Sequence, residues 1–281
     1  MTIIKGISAL QENVNFLKNN GKTIGFVPTM GALHDGHISL ITASKAENDI
    51  TVCSIFVNPT QFNDPKDFEK YPITIEADIE KLELAGTNIL FLPSVTEMYP
   101  DGFDKVPHYD LGVIETILEG KFRPGHFQGV CQIVHKLLKA VQPHNLYMGQ
   151  KDYQQCMVIN RLIQIENLGV KLHTRPTLRE KDGLAMSSRN MRLNEEERKN
   201  ALTIYRVLNY LKDHIEKESI AYLLDRSNLM LTDNNFRPDY VSIADAETLV
   251  PVENWDGHQK IVALIAAYQN EVRLIDNMAL D

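Results

Sequence analysis

The chain has 281 residues, 43% of them hydrophobic and 23% charged, with a formal net charge of −8. That size and composition suit a globular protein of one large or two ordinary domains, and the acidic balance argues against a nucleic-acid binder, which needs a basic face. The longest plainly apolar run, residues 261–268, is far short of the ~20 residues of a membrane-spanning helix, and the opening Met1-Thr2-Ile3-Ile4-Lys5-Gly6 lacks the charged and apolar regions of a secretion signal; a cytoplasmic protein is expected.

Ile7, Leu10, Val14 and Leu17 recur at helical spacing, and Gly21 follows as a stop. Residues 23–27 read as a short buried strand. A loop with Pro28 and Gly31 leads to a second helix from Gly36 or His37. Residues 50–57 are rich in β-branched side chains and read as a strand. A helix over 75–85 and a strand over 88–92 follow. The stretch 127–141 is a helix with an apolar stripe at Val130, Ile133, Val134, Leu137 and Leu138. Then come a strand over 145–148, a helix over 153–166 and a strand over 170–175. Such alternation implies βαβ units and a parallel sheet, with ligands beyond the carboxyl ends of its strands at the topological switch point. After residue 190 the pattern changes. Asn194 and Glu197 resemble a capping box that opens a helix to about residue 217. A second helix over 220–231 precedes strands over 240–244, 260–267 and 272–278. The expected architecture is α/β, with a parallel-sheet domain over 1–175 and a smaller α+β domain over 176–281. Cys53, Cys131 and Cys156 form neither a CxxC pair nor a zinc spacing and read as small buried side chains.

Five stretches carry chemistry-bearing residues. Residues 28–37, PTMGALHDGH, lie between a strand and a helix; backbone N–H groups there favour anions, and His34 and His37 add donors for a nucleotide triphosphate. The Walker lysine of a P-loop is missing. Residues 56–62, FVNPTQF, offer Asn58 and Gln61 to a hydroxyl-bearing substrate. Arg123, in RPGHF, suits a carboxylate or phosphate. In GQKDYQQ, residues 149–155, Lys151 suits a phosphate and Asp152 the hydroxyls of a ribose. In KDGLAMSSRN, residues 181–190, two serines and Arg189 suit phosphate binding. Taken singly, these read equally as exposed loop histidines, a polar turn, a surface arginine, a charged helix cap and a polar linker. Four of the five, however, follow strands of one predicted sheet. A nucleophile elbow and a dinucleotide-binding G-x-G-x-x-G are both missing.

Together with Tyr71-Pro72 and Asp78, and with EGKFRPGHFQGV at 119–130, these motifs resemble the pantothenate synthetase family in their order and residues. His34-x-Gly-His37 alone would indicate only the wider nucleotidylyltransferase superfamily. The resemblance implies a Rossmann-like first domain that carries a homodimer contact and a second domain that closes as a lid. It implies ATP, (R)-pantoate and β-alanine as substrates, Mg2+ with the ATP, and a pantoyl adenylate intermediate. His34 and His37 would hold the ATP phosphates, and Met30 would contact the reacting phosphate through its backbone. Gly149 and Asp152 would bind ribose, with Leu178 and Met186 also in the ATP site. Lys151, Ser187, Ser188 and Arg189 would stabilise the phosphates in the transition state. Gln61 and Gln155 would grip pantoate, with Asn58, Tyr71 and Arg123 in the walls and Asp78 a candidate magnesium ligand. The sequence has Gln128 where the family often has Arg, Gln132 where it has Thr or Ser, and Gln150 where it has Glu. Two other readings compete: a nucleotidyl transferase acting on a phosphorylated acceptor, and a catalytically silent nucleotide sensor. The glutamines at 61 and 155 argue against the first, and the retained His34, His37, Lys151, Ser187 and Arg189 against the second.

Overall fold

The computed structural model describes residues 1–63, 65–103 and 107–280. In chain order the elements are β1 (Thr2–Ile4), α1 (Ile7–Asn19), β2 (Ile24–Thr29), α2 (Asp35–Glu47), β3 (Ile50–Ile55), α3 (Pro65–Glu69), α4 (Ile75–Leu84), β4 (Ile89–Phe91), α5 (Val95–Met98), α6 (Glu119–Phe122), α7 (His126–Val141), β5 (Asn145–Gly149), α8 (Tyr153–Ile165), β6 (Lys171–Arg175), α9 (Glu195–His214), α10 (Ile220–Thr232), β7 (Phe236–Asp245), β8 (Ile261–Gln269) and β9 (Val272–Ala279). The chain divides into two compact units. The first comprises Met1–Gly112, Arg123–Gln150 and Gln155–Pro176; the second comprises Val113–Phe122, Lys151–Gln154 and Thr177–Asp281.

The first unit is built on a six-stranded sheet of order β1-β4-β3-β2-β5-β6, parallel throughout. From β2 the chain first builds outward through β3 and β4, then returns to build β5 and β6 on the other side. The order therefore reverses between β2 and β5, and the loops leaving these strands flank the switch point. β3 reads ITVCSI with five consecutive buried residues, as expected of a strand covered on both faces. Val27, Cys53 and Leu90 of the sheet pack with Leu40 and Ile41 of α2 and Leu82 of α4. Helix α7 packs against α1 and β2, and its whole expected stripe, Val130 to Leu138, is buried. The edge strand β1 had no counterpart in the sequence reading: three residues are too few to show a period, and pairing with Ile89–Phe91 defines it.

In the second unit β7, β8 and β9 form an antiparallel sheet. Its central strand is buried without interruption from Ile261 to Ala267. Ile204, Leu208 and Leu211 of α9 and Leu223 of α10 join Ile243 and Ile265 in the core. The expected capping box starts α9: Glu197 N donates to Asn194 Oδ1, and Asn194 N to Glu197 Oε2, both at 2.9 Å. All three cysteines are buried, and burial pushes the Cys53 thiol up to about 12. Among the described residues no helix is long and apolar enough to cross a membrane.

Candidate active site

The loop leaving β2 turns sharply at Gly31 (φ 83°) and Ala32 (φ 49°). A Cβ on Gly31 would lie 3.1 Å from both Asp78 and Ile55. The turn is held by Asp78 of α4, whose oxygens accept from Ala32 N at 2.8 Å and Leu33 N at 2.7 Å. Lys81, one turn further on, donates to the Leu33 carbonyl at 2.5 Å. Asp78 is 0% exposed and clamps the loop through both of its oxygens. Among the described residues no group of three or more His, Cys, Asp or Glu is arranged to hold a metal ion.

The clamped loop delivers His34 as the N-cap of α2. Gly36 N donates to His34 Nδ1 at 3.2 Å, and His34 N to His37 Nδ1 at 3.3 Å. A nitrogen that accepts carries no proton, so each neutral ring bears its hydrogen on Nε2. The two rings lie 4.0 Å apart at the positive end of the helix dipole. Each ring thus carries one N–H that can donate.

Beyond β3, Pro59–Gln61 forms a single 3-10 turn. Its anchor is Asn58, which is 0% exposed. Asn58 Nδ2 donates to the Gly129 carbonyl at 3.1 Å, and Oδ1 accepts from the Tyr99 hydroxyl at 2.8 Å. Asn58 therefore supports the turn from beneath. Helix α7 crosses the turn so closely that a Cβ on Gly129 would stand 2.3 Å from the Thr60 carbonyl oxygen. Gln61 is half-buried, its Nε2 2.7 Å from the Met30 sulfur, which joins the two loops. Its carbonyl accepts from His126 Nδ1 at 2.7 Å and from Arg123 at 3.4 Å, while His126 Nε2 meets Arg123 Nη1 at 3.1 Å. Tyr71 is buried, edge-on to Phe62 at 5.7 Å. Gly149 ends β5, and a Cβ there would meet open space. Gln155 is half-buried in the first turn of α8. The first unit thus brings Met30, Gln61 and Arg123 together around one turn.

In the second unit, residues 178–186 form a tight hairpin: Glu180 N donates to the Leu184 carbonyl at 2.8 Å and Met186 N to the Leu178 carbonyl at 3.0 Å. Asn190 ties the following turn back to the Ala185 carbonyl at 3.0 Å. Ser187 caps that turn, its Oγ accepting from Arg189 N at 3.3 Å; Ser188 is buried and Arg189 half-buried. Lys151, Ser187, Asn190 and Asp276 line one small cavity. Asp276 pairs with Arg179 through bonds of 2.6 and 3.0 Å. Burial holds its carboxyl above the ordinary range, although Arg179 and Lys151 pull it down. Asp152 and Leu178 are half-buried and exposed, respectively.

His126 and Gly129 lie within the stretch 119–130 but carried no individual expectation, and both shape this turn. A glycine inside so strong an apolar helix is itself a signal of close approach. The replacements at 128 and 132 have a structural use: Gln128 both accepts from and donates to the Tyr109 backbone, at 3.0 and 2.9 Å, and Gln132 donates to the Pro107 carbonyl at 3.2 Å. They pin the segment that crosses α7.

Residues 2–279 match the family described as pantoate-beta-alanine ligase. The pantothenate synthetase of Bacteroides fragilis strain YCH46 is 44% identical over 282 residues, covering 99% of this chain and 98% of that protein. That of Acetivibrio thermocellus is 44% identical over the whole of both chains. Among solved structures, the pantothenate synthetase of Thermus thermophilus superposes with a TM-score of 0.92 at 39% identity, covering 100% of this chain and 99% of that one. The pantoate-beta-alanine ligase of Francisella tularensis, complexed with beta-gamma ATP and beta-alanine, gives 0.81 at 38% identity, covering 100% and 98%.

Proposed function

We propose, from the premise that the chain belongs to the pantoate-beta-alanine ligase family, that it condenses (R)-pantoate with β-alanine to give pantothenate, AMP and pyrophosphate. The observation that carries this reading is the placing of the Met30–His37 loop, the Asn58–Gln61 turn and Gly149 at the carboxyl ends of the neighbouring strands β2, β3 and β5.

In the first step a carboxylate oxygen of pantoate attacks the α-phosphorus of ATP, the bond to the bridging oxygen breaks, and pyrophosphate leaves. The Nε2–H groups of His34 and His37 and the backbone at Met30 hold the phosphates. Lys151, Ser187, Ser188 and Arg189 offset the charge that builds on them. Each well-placed donor of this kind is worth on the order of 10²–10³ in rate. Gln61 and Gln155 hold pantoate, with Arg123 and Tyr71 in its walls. Gly149, Asp152, Leu178 and Met186 form the nucleoside site. In the second step the amine of β-alanine attacks the carbonyl of the mixed anhydride and AMP leaves. The protein supplies positioning and electrostatics, and the amine arrives deprotonated or passes its proton to water. Magnesium would enter with ATP and offset charge on its phosphates, with Asp78 the one protein carboxylate expected near it. The second unit serves as the lid that keeps water from the anhydride, and the enzyme is a cytoplasmic homodimer joined through its first unit, which sedimentation of the purified protein tests.

The test of the reaction is AMP formation with ATP, magnesium, pantoate and β-alanine, omitting one component at a time. AMP that requires all four, with pantothenate in equal amount, is the expected result. A folded, ATP-binding protein that forms no AMP under these conditions would overturn the proposal.

A further inference from the structure

Two short segments of the second unit, Val113–Phe122 and Lys151–Gln154, are remote in sequence from its remaining residues, Thr177–Asp281. A buried ionic cluster ties them to the sheet. Arg273 of β9 donates through Nη1 and Nη2 to the two oxygens of Glu119, both at 2.8 Å, and through Nε to Asp239 of β7 at 2.7 Å. The Tyr240 hydroxyl donates to Glu119 Oε1 at 2.8 Å. The side chains of Arg273, Glu119 and Asp239 are only 13%, 10% and 11% exposed. Desolvation offsets much of the attraction in such a pair, so fixing geometry is its better-attested use.

The bonds continue from Glu119 toward the Lys151–Gln154 segment. Glu119 N donates to Gln154 Oε1 at 3.0 Å, and Gln154 Nε2 donates to the carbonyls of Ile114 and Ile117 at 2.7 and 2.9 Å. Gln154 is 2% exposed and lies three residues after Lys151. Two further bonds fix the same stretch: the Tyr153 hydroxyl donates to the Ala246 carbonyl at 2.7 Å, and Asn277 Nδ2 to the Lys151 carbonyl at 2.9 Å. Lys151 follows closely on β5 in sequence, yet side chains of the second unit hold its backbone.

We propose that Glu119 and Arg273 are positioning residues for Lys151, acting through Gln154 to fix the Lys151–Gln154 segment on the β7–β8–β9 sheet. This rests on the reading that Lys151 acts on ATP. An arginine is required at 273 because only a planar fork serves a carboxylate through two parallel bonds while its Nε serves another.

The test uses Arg273→Lys, which keeps the charge and loses the fork, and Glu119→Gln, which keeps the shape. Both are compared with the parent for kcat, for KM with ATP, and for hydrogen exchange of the substrate-free protein. The expected result is a kcat lower by on the order of ten- to hundredfold with KM for ATP within about twofold. Exchange rises in residues 113–122 and 151–154 while β8 stays protected. On a Lys151→Ala background, Arg273→Lys causes no further loss of kcat, since the two changes act through one group. Parental kcat in both folded variants overturns the proposal; so does a kcat loss without altered exchange, or one that adds fully to that of Lys151→Ala. If Lys151→Ala alone keeps the parental rate, the reading of Lys151 falls. Exchange in the clamp variants, measured without substrate, separates that failure from failure of the clamp itself.

Discussion

The two units fix their candidate active groups by different means. In the first, loops leave neighbouring strands of one sheet, and each is secured by a side chain that bonds backbone: Asp78 to Ala32 and Leu33, Asn58 to Gly129, His126 to Gln61. In the second, the contributing segments come from three separated parts of the chain, and the anchors are guanidinium–carboxylate pairs, Arg273–Glu119 and Arg179–Asp276. A parallel sheet has already gathered the ends of its strands, so backbone caps suffice to set each loop. Where no sheet gathers the segments, bidentate ion pairs supply both register and direction.

If the phosphates of ATP are neutralised by groups from both units, removing a donor from either should cost alike. His37→Ala and Lys151→Ala are each expected to lower the rate of adenylation by on the order of 10²–10³, with ATP binding much less affected. Arg189→Ala should behave as Lys151→Ala does. Single-turnover pyrophosphate release alongside ATP titration measures both quantities. Equal losses in binding and rate would remove the transition-state role, and an effect confined to one unit would break the symmetry.

A smaller effect separates loop clamping from metal binding. Asp78→Asn turns one acceptor into a donor facing a backbone N–H. Leaving a buried N–H unpaired costs on the order of 1–3 kcal/mol, so the variant should unfold at lower denaturant and turn over more slowly. If Asp78 acts as a clamp alone, the half-saturating magnesium concentration should match the parent's. A shift in magnesium dependence, with unchanged stability, would assign Asp78 to the metal. Gly129→Ala probes the same scaffold from the side of α7. The added methyl meets the Thr60 carbonyl, an overpacking worth about 1–3 kcal/mol, and the displaced Gln61 should raise KM for pantoate more than it lowers kcat. An unchanged KM would show that the turn does not set the pantoate site.

Much of this was legible in the sequence wherever the signal is local. The stripe in α7, the buried run of β8 and the box Asn194–Glu197 are patterns within one element, and each element formed within a few residues of its expected bounds. The candidate motifs were legible too, because glycines, prolines and polar residues follow the strands that deliver them. The clamping role of Asp78 was not: the resemblance marked the residue, but only the landing of the β2 loop on α4 buries it and turns its oxygens to Ala32 N and Leu33 N. Nor was the Glu119–Arg273 pair, whose partners are 154 positions apart and share no spacing that periodicity detects.

The smallest expected effect concerns the same clamping device at an exposed place. Asp49, 40% exposed in its side chain, accepts from Thr23 N at 2.9 Å and Thr23 Oγ1 at 2.8 Å just ahead of β2. These bonds, with a lesser one from Lys22, lower its carboxyl to about 2. A depressed carboxylate contributes stability that is present above its ordinary value, near 3.8, and is lost as pH falls through its folded value. The advantage of the parent over Asp49→Asn should therefore be constant near neutrality and shrink from about pH 4 to about pH 2. Asp276 carries the opposite sign: burial raises its folded value, so its contribution is full below the ordinary range and fades as pH rises through that value. Denaturant melts of parent and Asp49→Asn across this window decide the point. A parental advantage that stays level down to pH 2 would mean the exposed clamp does not act through its charge, and solvent would then limit the device to buried loops such as that held by Asp78.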